Sequence, residues 1–159
     1  MQIVLILSLV AAAIGSGLVA GIFFAFSTFI MTAFSRIPAE QGIAAMNSIN
    51  VTIVRSPFMA LFVPTAILCF VIAVLALMNW RGGASALMLA GAALYLFASF
   101  LSTIVFNVPM NDALDKVSGG TEAAALWSTY LRDWTWWNHV RTVASLLASV
   151  AFVRALMIV

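Results

Sequence analysis

Charge is scarce in this chain. Of its 159 residues, seven are lysine or arginine and five are aspartate or glutamate, 8% in all. A soluble domain carries about 25%. So little polar surface cannot clothe a globule in water, and lipid is the expected solvent for most of the chain. The net charge of +2 is too small and too scattered for nucleic acid, so no such partner is expected. Cysteine and histidine occur once each, as Cys69 and His139. A single cysteine excludes an intrachain disulfide. One of each excludes a zinc site built from the common ligand sets within one chain, so no metal is expected. Cys69 lies inside an apolar run and reads as a small apolar residue.

What abounds is hydrophobic side chain, 65% of the total. It falls into four runs, about 3–34, 57–78, 84–106 and 138–159. Each is long enough to cross a hydrocarbon layer of about 30 Å, which takes about 20 helical residues. Backbone groups in hydrocarbon must bond within their own segment, so the spans are expected to be helices. The predicted fold is therefore all-α: an integral membrane four-helix bundle, forming one domain over residues 1–159. The first run has no Lys or Arg before it and continues well past Ala11-Ala12-Ala13, so it is expected to be a retained helix rather than a cleaved signal.

The connections carry the remaining signals. Pro38 and Glu40 suit a helix start, and Ile43, Met46, Asn47, Asn50 and Ile53 recur at helical spacing. They predict an amphipathic helix between spans one and two, lying at the interface or turning Asn47 and Asn50 inward. Pro109 is expected to break the third helix, since it lacks an N–H and restricts the residue before it. Nothing breaks the helix from Glu122 onward, so the fourth span should extend beyond the bilayer at its N-terminal end. A stop near Trp134 and a restart would also fit. Ala13, Gly17, Gly21 and Ala25, four apart, allow close helix approach, either inside the bundle or in a homo-oligomer through Gly17 and Gly21. Arg36, Arg55, Lys116 and Arg132 fall on one side of the membrane, Arg81 and Arg154 on the other. The first side is thus expected to be cytoplasmic in a bacterial-type inner or plasma membrane.

Residues 134–141, Trp-Thr-Trp-Trp-Asn-His-Val-Arg, concentrate the chain's rare chemistry. The only histidine is here, with three of the five tryptophans and an arginine. A charge in a span is costly, so Arg141 should snorkel to the headgroups or find polar partners such as Asn107, Asn111, Asn138 or Asp112. Trp134, Trp136 and Trp137 suit either an interfacial belt or the flat walls of a pocket. Trp127, Tyr130, Trp134, Asn138 and Arg141 share one helical stripe. His139 is the one side chain whose ordinary pKa readies it for proton transfer near neutrality. It is also a candidate haem ligand or headgroup-level donor.

Four stretches, Gly21-Ile-Phe-Phe-Ala-Phe-Ser27, Ala45-Met46-Asn47-Ser48-Ile49-Asn50, Asn107-Val-Pro-Met-Asn111 and Trp134-x-x-Trp137-Asn138-x-x-Arg141, together resemble the anthrone oxygenase-like family of small four-helix membrane proteins. The resemblance runs in order over nearly the whole chain. It implies a four-helix membrane bundle and, for characterised members, oxidation of an anthrone to an anthraquinone by molecular oxygen without a classical cofactor.

Three readings follow. As an oxygenase, the chain would take an apolar aromatic small molecule from the bilayer. His139 would be the base, Arg141, Asn138, Asn107 and Asn111 would stabilise the developing oxyanion, and Trp134, Trp137 and Asn50 would hold the substrate. As a binding protein, it would hold haem through His139, a quinone or a lipid. As a structural subunit, its polar residues would only fasten helices together.

Overall fold

Four helices of the computed structural model are long and apolar enough to cross a membrane. The structure describes residues 2–117 and 120–159. The spans are α1 (Gln2–Phe34), α3 (Pro57–Met78), α4 (Gly83–Asp115) and α5 (Gly120–Leu156). A shorter helix, α2 (Ala39–Ile53), lies between the first two. Each span packs on the next along the chain, and α5 closes the ring in an extensive helix pairing along α1. The chain is a helical membrane bundle, as its composition predicts.

Local signals account for the ends. Pro57 stands in the first turn of α3, and the Ser56 hydroxyl caps it by accepting from the Phe58 N–H at 3.3 Å. Between α3 and α4 the chain turns through Gly82 at φ 59°, a conformation that favours glycine. Glu40 sits in the first turn of α2, where the helix dipole favours an anion.

The third span departs from expectation. Pro109 does not end it; the helix runs on to Asp115. The reason lies in the turns before the proline. Leu94–Leu101 and Thr103–Asn107 are π-helical, as is Phe26–Ile30 in α1. A wider turn relieves the clash between the proline ring and the preceding carbonyls, and Pro109 then enters the first turn of the next α-helical stretch. Hydroxyls take up carbonyls along the way: Ser102 Oγ donates to Ala98 O at 2.7 Å and Thr103 Oγ1 to Ser99 O at 2.8 Å. The alternative of a stop and restart near Trp134 is also not adopted, since α5 is unbroken over 37 residues. At 1.5 Å per residue it measures about 55 Å, so its N-terminal part extends beyond a bilayer core.

That projecting part of α5 supports α2. Gly42, Ile43 and Met46 of α2 are buried against a cluster that includes Leu114, Trp127, Tyr130 and Trp134. Gly42 is required there, because a Cβ would meet the Trp127 indole at 2.5 Å. Asn47 and Asn50 turn inward, and Asn47 Nδ2 donates to Leu114 O at 3.4 Å. A second core, with Leu9, Cys69, Ile72, Met88 and Phe152 fully buried, fills the bundle toward its other end. Of the small residues on α1, Gly17 faces Ser149 of α5, while Gly21 is exposed with no neighbour within 4 Å of a Cβ. The tightest approach falls at Gly15 instead, where a Cβ would collide with the Thr65 side chain.

Candidate functional site

The stripe on α5 faces inward as a unit: Trp127, Tyr130, Trp134, Asn138 and Arg141 are all buried. Asn138 is fully enclosed. Its Oδ1 accepts from Arg141 Nη2 at 2.8 Å. Arginine is a donor only, so this contact fixes the amide's orientation and makes Nδ2 a donor. Nδ2 bonds the Phe23 carbonyl at 2.6 Å and Ser27 Oγ at 2.7 Å. Those acceptors adjoin the π-helical stretch of α1, where the backbone ladder changes register. Ser27 also pairs with Thr142 Oγ1 at 3.1 Å, so one turn of α1 is tied to one turn of α5.

Arg141 is only 3% exposed. Its Nη1 donates to Thr103 Oγ1 at 3.3 Å, and its Nε makes no hydrogen bond within the protein. The guanidinium lies over the Phe23 ring at 4.3 Å and the Trp134 ring at 5.0 Å. Two ring faces offset part of the cost of burying a cation, about 0.5–2 kcal/mol each. Among the described residues no carboxylate forms an ion pair with it; the one ion pair is Arg132–Asp133, on the exposed face of α5. Asp112, a partner suggested by the sequence, borders a neighbouring cavity instead.

A cavity of about 80 Å³ opens beside Arg141. Phe23 and Phe26 of α1, Met46 and Asn50 of α2, Asn111 of α4 and Trp134 of α5 contribute to its wall. Asn111 is oriented by chemistry. Its Oδ1 accepts from Tyr130 Oη at 2.7 Å and from Trp134 Nε1 at 2.9 Å. An indole nitrogen only donates, so the carbonyl end must face the rings and the NH2 is left for the cavity. Asn50 Nδ2 is buried with no partner. A second cavity of about 250 Å³ shares Asn50 and Asn111 with the first and is bordered by Asp112 and Asp115.

The candidate residues therefore divide. Arg141, Asn111, Asn50 and Trp134 line one chamber, and Asn138 holds Arg141 in place. Asn107 is buried beside it as a clamp between α4 and α5, its Nδ2 donating to Trp134 O at 3.2 Å. Trp137 and His139 face elsewhere. Trp137 stacks on Phe106 with centroids 3.6 Å apart. His139 is exposed beside Trp136 on an apolar groove between α4 and α5, with Leu94 and Leu147 among its walls. The reason is angular: consecutive helical residues diverge by about 100°, so burying Asn138 turns both of its neighbours away. Phe23, Ser27 and Thr103 were not singled out as site residues. The resemblance stretch Gly21–Ser27 contains the first two, and their spacing of four puts both on one face of α1.

These features define a class: a helical membrane bundle that encloses an uncompensated cation among aromatic rings and amide donors. The family model for anthrone oxygenase matches residues 58–151, more than half of the chain, and the chain belongs to that family. The matched stretch carries Asn107, Asn111, Trp134, Asn138 and Arg141. Phe23, Ser27 and Asn50 precede it. Neither the curated proteins nor the solved structures contain a match to the chain.

Proposed function

We propose that this protein is an oxygenase of flat, apolar, anthrone-like aromatic ketones that bear an acidic C–H. The observation that carries the reading is Arg141, buried between two aromatic rings without a carboxylate and lining a chamber. Membership of the anthrone oxygenase family supplies the reaction class.

In this reading the substrate enters from the lipid and places its ketone oxygen against Arg141. When the acidic C–H bond breaks, its electron pair moves through the ring to that oxygen, and the developing oxyanion is held by the guanidinium. Preorganised charge in a water-poor site is worth more than in bulk water. The carbanion end then reacts with dioxygen, and loss of water from the peroxide leaves a second ketone. One O2 is consumed and one water released for each anthrone converted to anthraquinone. The 80 Å³ chamber suits the oxygen end of the substrate and dioxygen. Together with the adjoining cavity it reaches the lower end of the ~300–1,000 Å³ that small-molecule sites occupy. His139, the base expected from the sequence, does not border this chamber. The proton instead leaves past Asn50 and Asn111 toward Asp112 and Asp115. No classical cofactor is invoked.

The test is turnover of anthrone under air by protein purified in detergent, followed by anthraquinone absorbance and oxygen uptake. Arg141→Met is expected to lower kcat/KM at least 100-fold, about 2.7 kcal/mol of transition-state stabilisation. Equal turnover by wild type and variant would overturn the reading.

A further inference from the structure

We infer that the chamber recognises the ionised form of its ligand, and that Asn50 of α2 takes part in this recognition together with Asn111 and Arg141. The inference rests on the reading above for the class of ligand but not for its chemistry.

The argument is one of donor and acceptor identity. Arg141 is donor only, with Nε unpartnered. Asn111 has its acceptor committed to Tyr130 and Trp134, which leaves only N–H toward the cavity. Asn50 buries an unpartnered Nδ2 in the same wall. Three elements, α2, α4 and α5, thus bring side chains with N–H donors to the wall of one small volume, and one of them carries a full charge. A neutral hydroxyl would bring a proton that meets these donors. An aromatic oxyanion brings only lone pairs and the missing counter-charge. Phe23 and Trp134, flanking the guanidinium, suit a flat ring attached to that oxygen. Asn50 lies outside the stretch that the family model matches, as do Phe23, Phe26 and Met46. The recognition of ligand shape therefore rests largely on the first third of the chain.

4-Nitrophenol tests this, because its anion absorbs in the visible and it does not react with oxygen. Titrated in the presence of the detergent-solubilised protein, its ionisation midpoint is expected to fall by at least one pH unit, a tenfold preference for the anion. Arg141→Met in the same detergent should abolish the shift. Asn50→Asp is the sharper variant. It places a carboxylate in the chamber as a resident counter-ion, so the nitrophenolate shift should vanish while the thermal midpoint rises. An unshifted midpoint with wild type, or an Asn50→Asp protein that keeps the shift, would overturn the inference. The two ideas fail separately. A shifted probe without anthrone turnover removes the oxygenase reading and upholds the anion site. Turnover with an unshifted probe does the reverse.

Discussion

The two ends of the bundle treat buried polar atoms in opposite ways. Toward the far end, buried hydroxyls donate to carbonyls of their own or a neighbouring helix. Ser16 Oγ donates to Ala12 O at 2.7 Å, Thr65 Oγ1 to Leu61 O at 2.7 Å and Ser149 Oγ to Ala13 O at 2.8 Å, and Tyr95 Oη reaches Phe62 O at 3.1 Å. Around α2 and the projecting half of α5 the pattern reverses. Among the described residues, the buried side-chain atoms without a partner belong to Asn47, Asn50, Asn107, Thr135 and Arg141, all near that end. An unpaired buried polar group costs about 1–3 kcal/mol, more for a charge. One end is thus arranged for stability, and the other carries a cost that a bound ligand or water would relieve.

Substitutions can break this contrast, and the largest effect should come from the stable end. Phe152 is fully buried in the apolar core, against Gly91. Phe152→Ala is expected to cost about 3–5 kcal/mol of stability, read as a lowered thermal midpoint in detergent, with KM for anthrone unchanged. The opposite split is expected for Arg141→Met, which should lose activity but not stability. Arg141 has no counter-ion, so an apolar side chain in its place removes the several kcal/mol that burying a lone charge costs, which outweighs the about 1–3 kcal/mol of leaving Asn138 Oδ1 unpaired. The variant's thermal midpoint should therefore stay level or rise. A marked fall would favour a polar cluster whose only task is to fasten helices.

Asn138→Ala sharpens the comparison from the other side. It strands Arg141 Nη2 and removes one bond each from the Phe23 carbonyl and Ser27, so about 2 kcal/mol of stability should be lost along with activity. Ligand should restore little of it, because the lost bonds join α1 to α5 rather than protein to substrate. A thermal midpoint equal to that of wild type would show that this link contributes nothing.

Much of the architecture was legible in the chain because lipid imposes a simple code. Four long apolar runs with sparse charge leave few alternatives to helices, and the α2 segment declared itself by the spacing of Ile43, Met46, Asn47 and Asn50. Pro109 misled because a single-residue rule cannot see the π-helical turns before it. Those turns depend on hydroxyls such as Ser102 and on packing against α5. Within the site, the stripe from Trp127 to Arg141 was readable from periodicity alone. Asn111's orientation was not, since it depends on Tyr130 and Trp134, which reach it only in three dimensions. The small-residue stripe likewise pointed to Gly17 and Gly21, whereas Gly15 makes the closest approach, because the position of Thr65 is set by how α3 packs on α1.

The smallest effect is expected at the residue whose chemistry stood out most. His139 is the one imidazole in the chain and adjoins Asn138, which makes it a natural general base on the page of a sequence. On the folded helix that adjacency counts against it. Asn138 points to the bundle axis, so His139 is carried about 100° away, onto the groove it shares with Trp136. A side chain there faces the outer apolar groove rather than Arg141. His139→Ala is accordingly expected to leave anthrone turnover within about twofold of wild type, about 0.4 kcal/mol, and the thermal midpoint nearly unmoved. A 100-fold loss on removing this imidazole would mean that substrate binds on the outer groove, and that the buried arginine serves the bundle rather than the reaction.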